Sequence, residues 1–167
     1  MFGEENYLNK LKKMKIGIFG KRSSGKSALI NALLGIDAVE ISETTEPIYK
    51  AMDIKGLGAV TLVDTAGLDS EGKRVKKIQE TAEEIDIALM LIANDSIELE
   101  LAWISRLNRA GTPVIPIVSQ IDKFSDDGKH LAAAVREASG KKAIRVSAKQ
   151  KIGLDELRKE IIKSAEK

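Results

Sequence analysis

The sequence predicts an α/β fold: a six-stranded, mostly parallel sheet with one antiparallel edge strand and helices on both faces. Three observations predict it. Short apolar runs alternate with amphipathic helical stripes from residue 14 onward, an order that builds a parallel sheet through crossover helices. Two of the runs, residues 48–54 and 59–64, are joined only by Lys55-Gly-Leu-Gly58, too short for a crossover and adequate for a hairpin. A glycine-containing loop, Gly20-Lys-Arg-Ser-Ser-Gly-Lys-Ser27, lies between the first run and the first helical stripe.

The elements follow in order. Ile16, Ile18 and Phe19 mark a short buried strand over residues 16–20, and Ala28, Leu29, Ala32 and Leu33 the buried side of a helix. After the hairpin, Val75, Ile78, Ala82 and Ile85 recur at helical spacing ahead of a strand over residues 87–93. Leu99, Trp103, Leu107 and Ala110 precede a strand at 114–118, and Leu131, Val135 and Ala138 precede one at 143–146. Leu154, Leu157, Ile161 and Ile162 form the last stripe. The chain shows no internal repeat, low-complexity segment or second domain. Residues 1–13, with Lys10, Lys12 and Lys13, are expected to be an N-terminal extension to one domain over 14–167.

Composition narrows the function classes. At 167 residues the chain can bury a substantial core. Charged residues at 31% and apolar ones at 43% suit a globular protein rather than a disordered one. The 27 basic residues against 25 acidic ones give no field that argues for nucleic acid. With no cysteine, the chain has neither a disulfide framework nor a thiolate-bound metal or cluster of its own. The apolar run at 87–93 is too short to span a bilayer, and no apolar leader precedes the first lysines. A cytoplasmic protein without membrane association is expected.

The loop matches Gly-x-x-x-x-Gly-Lys-Ser in full, between strand and helix, as in a P-loop NTPase. Such a loop turns backbone N–H groups onto phosphates at a helix N-terminus whose dipole favours anions. Gly20 and Gly25 permit the backbone angles and close approach that a Cβ obstructs. Lys26 is expected to neutralise the β- and γ-phosphates, and Ser27 to enter a Mg²⁺ shell. Gly20, Ser23, Ser24, Gly25, Lys26, Ser27 and Ala28 are thus expected to contact the nucleotide. A second landmark, Asp64-Thr-Ala-Gly67, ends a buried strand. Ligands of open α/β sheets sit at the carboxyl ends of strands, so Asp64 converges on the same site and can hold Mg²⁺ through water. The Gly67 N–H can reach a γ-phosphate and order its loop with a triphosphate.

These motifs, with Thr44-Thr45, Ser119-Gln-Ile-Asp122 and Ser147-Ala-Lys149, occur in the order seen in small GTPases. The chain resembles the translation-factor-related class of those GTPases, the TrmE, Era and EngA types, with a Ras-like G domain. Residues 47–71, including Tyr49-Lys-Ala-Met52 and Val63-Asp-Thr-Ala-Gly-Leu-Asp69, are similar to the GTPase domain of the iron–iron hydrogenase maturation factor (HydF type).

The resemblance implies roles residue by residue. Thr44 is the switch threonine that binds Mg²⁺ and senses the γ-phosphate, with Thr45 the alternative. Lys26, Thr44 and Gly67 are the expected catalytic residues; Ser27, Thr44 and Asp64 are the expected metal ligands. Asp122 accepts the N1–H and exocyclic amine of guanine, donors that adenine lacks in that arrangement. A buried Asp facing adenine stays unpaired, at a cost of about 1–3 kcal/mol or more. The family pattern Asn-Lys-x-Asp reads Ser119-Gln120-Ile-Asp122 here, and this departure is expected to weaken guanine affinity. Ser119, Gln120, Asp122, Ser147, Ala148 and Lys149 form the expected base site, with the Ala148 N–H reaching the base oxygen. Leu68 replaces the water-orienting glutamine of many members, and Ser23 the asparagine of potassium-activated ones. Slow hydrolysis is expected, with potassium dependence left open.

The implied function is a Mg²⁺-dependent GTPase switch that uses GTP and GDP. The alternative is a guanine-nucleotide-binding module with negligible hydrolysis. An ATP-using kinase or ATPase on the same loop is disfavoured by Asp122 with Ser147-Ala-Lys149. The hydrogenase resemblance further implies maturation proteins, or further domains of a longer protein, as partners. Three features carry little function: His130 is expected to be solvated, Trp103 to pack in the core, and Arg22 to point outward.

Overall fold

The computed structural model describes residues 14–35, 48–54, 56–65, 67–68 and 72–166. The extension over residues 1–13 and the switch threonines Thr44 and Thr45 lie outside the described residues. Within them, β1 (Lys15–Gly20), α1 (Lys26–Leu34), β2 (Ile48–Ile54), β3 (Gly58–Asp64), α2 (Gly72–Ala82) and β4 (Ile87–Ile92) come first. Then follow α3 (Glu98–Arg109), β5 (Val114–Val118), a 3-10 turn (Ile121–Lys123), α4 (Lys129–Ser139), β6 (Ile144–Arg145) and α5 (Leu154–Ala165). One six-stranded sheet runs β2-β3-β1-β4-β5-β6. β2–β3 is its antiparallel pair, and the remaining pairs are parallel. The expected fold class is the one observed.

Burial on both faces explains the uninterrupted apolar runs, because a parallel sheet covered on two sides leaves no strand face in water. Along β4, Ile87, Leu89 and Leu91 enter one core, with Leu29, Ile30 and Leu33 of α1 and Leu157 and Ile161 of α5. Ala88, Met90 and Ile92 enter the other, with Ile78 of α2, Trp103, Ile104 and Leu107 of α3, and Leu131 and Val135 of α4. Each fully buried Ile or Leu contributes about 1.5–3 kcal/mol by leaving water. Edge strand β2 alternates instead: Met52 and Ile54 are buried, while Tyr49, Ala51 and Asp53 are exposed. Trp103 is buried, as expected, with the Arg106 guanidinium 4.9 Å from its ring centroid. His130 is exposed.

Two boundaries differ from the sequence reading. β6 keeps only Ile144 and Arg145 as a strand, against the predicted span 143–146. As an edge strand it pairs with β5 alone, and the chain then turns away at Ser147, whose N–H and carbonyl bond Ile152 instead. The hairpin turn is shorter by one residue because Gly58 already pairs with Ile54.

Local chemistry explains the start of α4. Asp126 accepts hydrogen bonds from the backbone N–H groups of His130 at 2.8 Å and Gly128 at 3.0 Å, satisfying donors that helix geometry leaves open. The His130 bond, above all, holds the Asp126 carboxyl below its ordinary range. Among the described residues no helix is long and apolar enough to cross a membrane.

Candidate nucleotide-binding site

The carboxyl ends of β1, β3 and β5 deliver three loops to one edge of the sheet, the position where open α/β sheets bind ligands. The first loop, residues 20–27, wraps the N-terminus of α1. Gly25 caps that helix in the left-handed region at φ 93°, and no acidic residue occupies the first turn. Ser23 also has positive φ, at 65°. Left-handed residues set into a loop before a helix turn successive N–H groups toward one point, an anion-binding arrangement. Lys26 Nζ folds back over the loop, donating to the Gly20 carbonyl at 3.2 Å and lying 3.5 Å from the Lys21 carbonyl. A Cβ on Gly20 would fall 2.4 Å from Ser24 Oγ and 3.1 Å from Leu91 Cβ, so the Ser24 side chain would have to move. Arg22 is exposed, in keeping with the outward orientation expected of it.

The second loop packs directly on the first. Asp64 is buried at the end of β3, in register with Ile18 of β1. Thr65 Oγ1 donates to the Ile18 carbonyl at 2.7 Å. The Leu68 N–H donates to the Gly20 carbonyl at 2.8 Å, and a Cβ on Gly67 falls 3.2 Å from the Arg22 nitrogen. Leu68 is buried in the core shared with Phe19, Val63 and Ile78, so its side chain faces away from solvent.

The third loop carries the predicted base site. A cavity of about 160 Å³ is lined by Gly25, Leu29, Gln120, Asp122, Ala148 and Lys149, among others. Ser147 Oγ donates to Asp122 Oδ1 at 2.9 Å while accepting from the Gln150 N–H at 3.1 Å. The carboxylate is therefore held in one orientation. A Ser147→Ala variant removes a hydrogen bond to a charged group, worth about 1.5–3 kcal/mol. We expect GDP affinity to fall about 10- to 150-fold with ATP binding little changed, read by fluorescence titration.

Ser119 and Gln120 occupy roles that sequence reasoning missed. Ser119 is buried, and its hydroxyl donates to the Ser24 carbonyl at 2.6 Å. Gln120, itself left-handed at φ 56°, donates from Nε2 to the Ser23 carbonyl at 3.2 Å. The two residues that depart from the family pattern thus tie the base loop to the phosphate loop. Lys123 is also missed by sequence reasoning. It lines the same cavity, and its ammonium reaches Gln120 Oε1 at 3.3 Å. Its only sequence signal is its place next to Asp122.

Of the predicted residues, the structure gathers Gly25, Ala28, Ser119, Gln120, Asp122, Ala148 and Lys149 around the cavity. Gly20, Ser23, Ser24 and Gly67 join them through loop-to-loop contacts. Ser27 sits in the first turn of α1. The donor set fits a purine nucleotide: a cation and helix N-terminus at one end, an oriented carboxylate acceptor at the other.

Residues 15–120 match the family described as 50S ribosome-binding GTPase. The chain belongs to this GTPase family. Among curated relatives, the tRNA modification GTPase MnmE of Actinobacillus pleuropneumoniae is 33% identical over 165 residues, covering 90% of this chain and 35% of that protein. GTPase Der of Wolinella succinogenes is 37% identical over 90 residues, covering 47% of this chain and 19% of that protein. The chain thus spans about a third, or less, of the length of these relatives. A solved structure of Era, in complex with MgGDPNP and nucleotides 1506–1542 of 16S ribosomal RNA, superposes with a TM-score of 0.78. It is 25% identical, and the match covers 90% of this chain and 56% of that one. As a GTPase of this family, the chain is a G domain of the MnmE, Era and Der type.

Proposed function

We propose that this G domain, over residues 14–167, binds GTP with Mg²⁺ and hydrolyses it slowly, acting as a nucleotide-dependent switch. The observation that carries the reading is the direct bonding of the base loop to the phosphate loop through Ser119 and Gln120. One nucleotide spanning both loops would engage a single preorganised unit.

Each residue has a definite task. Lys26 neutralises the phosphates, and the N–H groups of residues 23–28 orient them. Asp122, held by Ser147, reads the guanine edge, with the Ala148 N–H directed at the base oxygen. Ser27, Asp64 and Thr44 would hold Mg²⁺, which would supply neutralisation of phosphate charge. Gly67 and Thr44 sense the γ-phosphate. Leu68 is core-packed and orients no water, so positioning and electrostatics supply the rate. The same burial favours a second reading, a binding module with negligible hydrolysis.

Similarity of residues 47–71 to the HydF-type GTPase domain supports a place in hydrogenase cluster maturation. Cytoplasmic maturation proteins, or further domains of a longer chain, would then read the nucleotide state.

A titration with GTP, GDP and ATP in Mg²⁺, on wild type and Asp122→Asn, tests the reading. Strong preference for guanine nucleotides, lost in the variant, is the expected result. Equal binding of ATP and GTP, unchanged by the substitution, would overturn it. Single-turnover hydrolysis with and without K⁺ separates the switch from the non-hydrolysing module.

A further inference from the structure

Among the described residues two carboxylates are buried, Asp64 and Glu100, and only Asp64 has a part in the proposed chemistry. Glu100 lies on α3, in the helix's first turn, and is 1% exposed. A carboxylate removed from water is costly unless hydrogen bonds or a nearby cation compensate it. That cation is Lys21, from the phosphate loop: its Nζ lies 3.1 Å from Glu100 Oε1. The contact is an ion pair without hydrogen-bond alignment, and the ammonium instead donates to the Ser96 carbonyl. Ser96 is held in turn by its N–H, which donates to Asn94 Oδ1 at 3.0 Å. The Lys21 side chain therefore leaves the nucleotide site and anchors in the segment that leads from β4 into α3.

The main chain of the same residue holds the loop itself together. The Lys21 carbonyl accepts the Ser24 N–H at 3.1 Å and lies 3.5 Å from Lys26 Nζ. The preceding carbonyl, of Gly20, accepts both Lys26 Nζ and the Leu68 N–H. A side chain locked at one end of this residue restrains the carbonyls that hold Lys26 at the other. We propose that the Lys21–Glu100 pair is a brace that positions the phosphate loop and Lys26, making Lys21 and Glu100 positioning residues for nucleotide retention and turnover. The proposal rests on the reading of this site as a GTP site. It also makes the start of α3 the place from which a contact could reach the phosphates without touching the nucleotide.

The test compares wild type with Lys21→Met, Lys21→Arg and Glu100→Gln. The readouts are release of a fluorescent GDP, single-turnover GTP hydrolysis, and Tm without nucleotide. Lys21→Met keeps the aliphatic stem and Glu100→Gln keeps the shape, so the charge interaction is what each removes. Both are expected to accelerate GDP release about 10- to 100-fold, the scale on which small misplacements act. Lys21→Arg, which retains charge and reach, should stay within about threefold of wild type. If Lys21→Met does not fold, Glu100→Gln carries the same comparison. A pair with a purely structural role would lower Tm and leave GDP release from the folded protein unchanged, which would overturn the brace. Tight GDP binding by wild type with no effect of either substitution would overturn it alone. Failure of wild type to bind GDP would overturn the site reading and the brace together.

Discussion

Replacing Lys26 with alanine is expected to weaken GTP and GDP binding by about 2–5 kcal/mol, the cost of truncating one partner of a close charge pair. This is about 30- to 5,000-fold in affinity. The reason lies in the direction of the side chain. Nζ already lies over the loop, on the Gly20 carbonyl at 3.2 Å, which places the ammonium at the proposed phosphate site. Loss of the ammonium leaves a β/γ-phosphate pair without its nearest fixed positive charge. The effect should extend to Mg²⁺-pyrophosphate, since it acts on phosphate rather than on the base. Ser147→Ala, by contrast, should spare pyrophosphate binding. Calorimetric titration of both ligands checks this, and K26A binding within about threefold of wild type would exclude the loop as the phosphate site.

Gly153→Ala is expected to have the largest effect on stability, about 2–5 kcal/mol. Two costs add. Gly153 has φ 81°, a left-handed conformation that costs an L-residue about 1–2 kcal/mol. A Cβ there would also fall 2.1 Å from the Arg145 carbonyl oxygen. That atom is backbone in an edge strand and cannot move aside cheaply; overpacking of this kind costs about 1–3 kcal/mol. For a chain of this size the sum lowers Tm by about 4–20 °C. Gly140→Ala is the control: φ is similar, 74°, and no atom lies within 4 Å of its Cβ position. It should show the conformational cost alone. Thermal unfolding of the two variants side by side measures the clash, and equal Tm values would contradict it. Gly153 follows the Ser147–Ile152 bridge, so Gly153→Ala should also loosen the loop that carries Ala148 and Lys149.

The two loci differ in how far they could be read from the chain. The phosphate loop is legible because its function depends on a short run: two glycines, a lysine and a serine at fixed offsets, between an apolar strand and a helical stripe. Asp64 and Gly67 are legible for the same reason. The base site is legible only by resemblance, since Ser119, Asp122 and Ser147 stand 28 positions apart from first to last. Their meeting depends on β5 and β6 lying side by side. Gly153 gives no sequence signal beyond being a glycine, because the atom it must avoid belongs to another strand.

Ser119 and Gln120 show the limit most clearly. Judged against the pattern Asn-Lys-x-Asp, they look like losses, because neither can do what the family residue does to the base. In the fold they bond the Ser24 and Ser23 carbonyls across 95 and 97 residues of chain. Lys21 is similar: in the sequence it is one variable position of a loop pattern. Only its distance to Glu100, 79 positions later in the chain, gives it a task.

The sequence by itself determined the sheet's strand count, the antiparallel edge pair, the phosphate loop and the class of ligand. Those features depend on periodicity and on short runs, which local chain chemistry dictates. Tertiary structure alone decided which loop carbonyls Ser119, Gln120 and Lys26 hold, which carboxylate Lys21 compensates, and why Leu68 is lost to the core. These depend on side chains from distant segments meeting within hydrogen-bond reach, a property of packing that no local pattern encodes.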